Sequence, residues 1–123
     1  MTLASLRDVH ENFAWFVIIG NGLAGLWALA AHFREPLRTR ALWWVTFVAE
    51  LSVFVQVSLG VGMVAGQDIE VEQFHMFYGF LAIVAVTILY GYRQQLSDRR
   101  YALYGGGGLF IMGLGIRAVL VGR

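Results

Sequence analysis

The chain has 123 residues, 59% of them hydrophobic and 14% charged, with a formal net charge of +1 and no cysteine. A charged fraction so far below the roughly 25% of a soluble domain excludes an ordinary water-soluble protein. The missing cysteines exclude disulfides, thiolate metal sites, iron–sulfur clusters and covalently attached c-type haem. The scattered basic residues, all of them arginine, form no continuous basic face and give no case for a nucleic-acid partner. Their arginine bias suits a GC-rich bacterial genome.

The opening segment MTLASLRDVHEN lacks a basic n-region, a short apolar core and a small-residue cleavage site, so the first span is expected to be retained. Four apolar runs follow in order, Phe13 to His32, Ala41 to Gly66, Phe74 to Tyr92 and Tyr101 to Gly122, interrupted only by Glu50 and Arg117. Each offers about 20 residues or more, and at ~1.5 Å per residue each crosses a ~30 Å hydrocarbon core. The connections are too short for anything but antiparallel neighbours. The predicted fold is therefore all-α, a single transmembrane domain built as an up-down-up-down four-helix bundle with helices one and three on a diagonal.

Arg34, Arg38 and Arg40 flank the first connection, and Arg93, Arg99 and Arg100 the third, whereas the second carries Asp68, Glu70 and Glu72. The positive-inside rule then places both termini outside the cytoplasm. Trp43, Trp44, Tyr90, Tyr92, Tyr101 and Tyr104 gather at the arginine-rich ends, with Trp15 and Tyr78 toward the other face, as headgroup-level rings do. Gly20, Gly22 and Gly25 spell G-x-G-x-x-G, but with no preceding strand this is no dinucleotide site. Together with the glycines of the second and fourth spans, they predict close helix packing.

His10 is followed four residues later by Ala14, and His75 by Gly79, so each histidine opens an inward-running span with a small residue one turn along the same face. This weak repeat has a spacing of about 65 residues at the histidines and about 60 between Arg40 and Arg100, so the hairpins are not exact copies. Two such helices facing each other could sandwich a porphyrin. Counted from the helix ends nearest the arginines, His75, Gln56 and Arg117 fall at ~22 to 26 Å and His10 at ~34 Å, a gap that unequal helix ends or a tilt of ~20° could reduce. Arg117 either neutralises a ligand carboxylate, such as a haem propionate, or snorkels to water or to the acidic loop; the two readings weigh equally.

Glu72-Gln73-Phe74-His75, which opens an inward span after an acidic loop and is followed by Gly79, resembles the E-x-x-H motif of haem A synthase. The halves of that family are four-helix bundles with outer-side histidine ligands. The likeness covers about a dozen residues; the family's arginine after the histidine is replaced by Glu11 and Met76, and there is one bundle rather than two. It implies a b-type haem held by His10 and His75, without synthase activity.

Glu50 sits in mid-span, ~14 Å from the arginine-side edge, where a carboxylate costs roughly 2.5 to 3.5 kcal/mol. Asn21 is its nearest polar neighbour in depth. Bridged to Asn21, Glu50 is a structural clamp; ionisable, it is a step in a proton path. Ser52, Gln56 and Gly60 recur at i, i+4, i+8, a pattern for interhelical polar contact or a ligand groove. His32 reads as a solvated interfacial histidine. The sequence thus predicts a bacterial inner-membrane protein of redox function, not an enzyme by itself, that binds haem b or serves a respiratory complex. Its rivals are a cofactor-free accessory or assembly subunit, and a small proton-coupled transporter or channel built as a homo-oligomer around Glu50. Nothing in the pattern assigns a quinone.

Overall fold

A computed structural model describes residues 3–67 and 73–122, and side chains from Arg7 onward. The acidic residues Asp68, Glu70 and Glu72 lie outside the described residues. Four helices account for nearly all of the rest: α1 (Leu3–Phe33), α2 (Arg40–Gln67), α3 (Gln73–Tyr92) and α4 (Arg100–Val121). All four are long and apolar enough to cross a membrane, and the chain is a multi-pass four-helix membrane protein. Large apolar side chains such as Leu23 (60% exposed), Phe80 (64%) and Phe110 (58%) face outward, as lipid-facing positions must.

α1 begins about ten residues before the apolar run that predicted it. Its first turns carry an Arg7–Glu11 pair at 3.3 Å, spaced i, i+4, with both side chains exposed. Such a pair supports a helix where lipid burial does not. At its other end α1 stops where Arg34 turns to extended backbone ahead of Pro36, in the short 3-10 turn Glu35–Leu37.

α1 packs on α2 and on α4, and α3 packs on α4, while α2 and α3 meet only lightly. α1 and α3 therefore lie across the diagonal, as the short connections require. The tightest seam joins α1 to α4 and is made by glycine. A Cβ built on Gly25 would stand 2.8 Å from the backbone nitrogen of Leu109, and one on Gly108 would stand 2.7 Å from the Cα of Gly25. At Gly105 it would meet the Leu29 backbone at 2.8 Å. The helices touch backbone to backbone there, which only missing side chains permit. Two apolar clusters fill the interior on either side of this seam. Val17, Val53, Ala82, Val86, Leu89, Ile111 and Leu114 form the larger. Ala28, Ala31, Leu42 and Tyr101 form the smaller, beneath Trp27 and Trp43.

Candidate functional site: a histidine pair at one end of the bundle

The rings of His10 and His75 lie with centroids 6.1 Å apart and planes inclined by 74°. The residue count from the arginine-side ends leaves a gap in depth between them, and helix register closes it. Gly25 abuts Gly108, and the Leu89 side chain fills the space beside Gly107, so Gly25 and Leu89 stand at about one height. His10 lies about 15 residues out from Gly25 and His75 about 14 out from Leu89, roughly 22 and 21 Å of helix. The miscount arose at the opposite end, where α1 runs to Phe33, well beyond Gly25, and α3 stops at Tyr92, soon after Leu89.

Each imidazole is held differently. The Nδ1 of His75 lies 2.7 Å from the carbonyl oxygen of Ala118 on α4. A carbonyl only accepts, so Nδ1 carries the hydrogen, and the neutral ring has its lone pair on Nε2. His10 is fixed from α2, its ring hydrogen-bonding with the Gln56 backbone and its carbonyl oxygen accepting from the Gln56 side-chain amide at 2.8 Å. The ring nitrogen Nδ1 of His10 and the amide oxygen Oε1 of Gln56 are both buried without a hydrogen-bond partner among the described residues. Two orphaned polar atoms in one half-buried corner are costly unless something completes them.

The small residues that make room for the rings come from other helices than the sequence suggests. Ala14 and Gly79 each follow a histidine by one turn, but the bare face of Gly79 looks toward Val57 of α2 at 3.9 Å. It is Gly60 of α2 whose missing side chain admits the His10 ring, with Cε1 3.2 Å from where a Cβ would be. Gly122 does the same for His75, at 2.6 Å from Nδ1. The Ser52–Gln56–Gly60 stripe carried this signal in part, since Gln56 and Gly60 both reach His10. Ser52 does not; its hydroxyl donates to the carbonyl oxygen of Ala49 within α2. Arg117 is exposed and lies next in sequence to Ala118, which accepts from His75.

The expected bond between Asn21 and Glu50 does not form. Asn21 is 2% exposed and donates its amide to the carbonyl oxygens of Val17, at 2.8 Å, and Ala49, at 3.1 Å. Both of its N–H groups are spent on backbone, and it clamps α1 to α2 one residue from Glu50. Glu50 is half-buried and has Tyr104 of α4 as an electrostatic neighbour. The reason is rotational: Ala49 points at α1, and a helix turns by ~100° between successive residues. His32 lies at the far end of α1, its ring against Phe33 and its carbonyl oxygen bound by Arg38.

The donor set bears on which group the pair could hold. Among the described residues no three His, Cys, Asp or Glu side chains gather as a bare metal ion would need. Were a haem bound, His10 and His75, whose ring centroids lie 6.1 Å apart, are the residues that would hold it. A hydrogen bond from the far ring nitrogen to a carbonyl, as from His75 to Ala118, is the usual way an imidazole ligand is oriented.

Compared with protein families, with curated proteins and with solved structures, the chain gives no match. The likeness to haem A synthase stays confined to the residues around His75.

Proposed function

We propose that this chain is a small cytochrome of the bacterial inner membrane, binding a b-type haem between His10 and His75 and exchanging single electrons with a respiratory complex. The observation that supports this most strongly is the approach of the two rings across the bundle diagonal, to 6.1 Å between centroids. Bound haem supplies reversible one-electron chemistry. The chain's own residues would orient and tune it: Ala118 fixes the His75 tautomer, Gln56 anchors the His10 backbone, and Arg117, next in sequence to Ala118, would favour a propionate. With arginines flanking one end of the bundle, the histidine end faces away from the cytoplasm.

The test is the absorbance spectrum of protein purified after haem-replete expression. A Soret band with reducible low-spin b-type bands is expected in the wild type and in His32→Ala. It should be lost in His10→Ala and in His75→Ala, while Arg117→Leu should keep the haem at a lower midpoint potential. Full haem occupancy in the His10→Ala, His75→Ala double variant overturns the proposal. A colourless wild-type protein that co-purifies with oxidase or dehydrogenase subunits replaces it with an accessory role. Orientation is checked separately with single cysteines. An impermeant maleimide applied to intact cells should label position 67 and spare position 95, and the reverse pattern would put the histidine end inside.

A further inference from the structure

The end of the bundle remote from the histidines carries a groove of about 320 Å³ lined by Arg40, Trp43, Trp44 and Phe47. These positions follow i, i+3, i+4, i+7, so they form one face of the first two turns of α2. The face runs roughly 10 Å along the helix axis, from a guanidinium at the helix start to wholly apolar rings deeper in. Trp43 is braced from behind by Tyr101 and Tyr104, at centroid distances of 5.4 and 5.3 Å. Trp44, 64% exposed, stands clear of the bundle and walls the groove on its open side. From α4, the Arg100 guanidinium reaches over the Trp43 ring at 5.9 Å. Arg40 thus lines the groove itself, and Arg100 stands over the Trp43 ring of the same lining.

Arg100 lies over the Trp43 and Tyr101 rings and donates to the Tyr101 hydroxyl at 3.4 Å, but no carboxylate among the described residues neutralises it. Glu35 and Asp98 are the carboxylates near this end, and the one ion pair formed there among the described residues joins Glu35 to Arg38 at 4.0 Å. Arg38 is further occupied by the carbonyl oxygens of Ala31 and His32. Arg40 and Arg100 have no carboxylate partner among the described residues.

We infer that this groove binds an anionic phospholipid, its phosphate between Arg40 and Arg100 and the upper part of an acyl chain against Trp44 and Phe47. Charge complementarity selects the occupant. A zwitterionic lipid brings its own ammonium to the same mouth, and a second protein helix offers no anion at headgroup level. Basic pockets of this kind at the cytoplasmic surface are typical sites for acidic headgroups. The amphipathic profile, cation above and ring below, repeats that of the lipid itself.

Native mass spectrometry of the full chain, released from mixed micelles of phosphatidylglycerol and phosphatidylethanolamine, tests the assignment. Wild type should retain phosphatidylglycerol preferentially. Arg40→Gln and Arg100→Gln should each lower that retention by about fivefold, in line with the worth of one arginine near an anionic surface. Arg40→Lys should restore most of it, and Trp44→Leu should lower retention with both charges intact. Arg93→Gln removes a cation that is stacked on Tyr90 at 3.9 Å, away from the groove, and should change nothing. Equal retention of the two lipids, or equal losses for Arg93→Gln and Arg40→Gln, overturns the inference. Displacement of the lipid by inorganic phosphate alone would also overturn it, because the site would then be an anion site without an acyl contact.

Discussion

The two ends of the bundle are finished in different ways. At the arginine end, side-chain to backbone hydrogen bonds close the connection between α1 and α2. Arg38 donates to the carbonyl oxygens of Ala31 and His32, which end α1 without further helical partners, at 2.7 and 3.0 Å, and its guanidinium lies 4.8 Å from the centre of the Tyr101 ring. The Trp27 indole donates to the Leu37 carbonyl oxygen at 3.0 Å, closing the connection over the smaller core. At the histidine end, His10 Nδ1 and Gln56 Oε1 are buried without hydrogen-bond partners among the described residues, and the two imidazole centroids stand 6.1 Å apart. Buried polar atoms without a partner occur in both halves, Thr46 Oγ1 lying toward the arginine end, and what sets the histidine end apart is the pair of imidazoles that the other two adjoin.

This contrast can be broken most forcefully at the seam both ends share. Gly108→Leu drives a side chain into the backbone of α1 and should cost about 3 kcal/mol, the upper range of overpacking effects. Both ends should melt together in a denaturant titration in detergent micelles, followed by Trp27 fluorescence and by the Soret band. Separate transitions would mean that the two ends are independent units. The next largest effect is expected at the closed end. Arg38→Ala removes two charge-assisted hydrogen bonds to carbonyl oxygens and should cost about 2 kcal/mol in the same titration. A loss below about 0.5 kcal/mol would show water replacing the guanidinium without penalty.

The smallest effect sharpens the comparison. Gln56→Leu gives up the bond to the His10 carbonyl oxygen but also removes the orphaned Oε1, and in the haem-free protein these should nearly cancel, to within about 0.5 kcal/mol. In the haem-loaded protein the same change should loosen His10 and raise the haem dissociation rate. Equal destabilisation of both forms would make Gln56 a purely structural contact.

Much of this molecule was legible in its sequence. Four spans, their antiparallel order and the role of glycine as packing surface all follow from hydropathy, loop length and the absence of water in a bilayer, which forces helices wherever apolar runs are long enough. The two histidines stand out because polar residues are rare in such a chain. Part of the site was also visible, since Gln56 and Gly60 fall on one helical stripe and both touch His10. The helix of the first span extends past its apolar run to Leu3, through the turn that carries the Arg7–Glu11 pair and His10.

What the sequence could not supply was register and rotation. Depth counted from helix ends separates His10 from His75, because it assumes that the ends are level; the backbone contact of Gly25 with Gly108 and the seat of Leu89 beside Gly107 set the heights instead. Neighbouring depth suggested that Asn21 could meet Glu50, but rotation of α2 presents the Ala49 carbonyl to Asn21 instead. Local periodicity fixes which residues share a face of one helix. Which faces meet, and at what height, is decided by where side chains are small enough for backbones to touch, and that is a property of the assembled bundle.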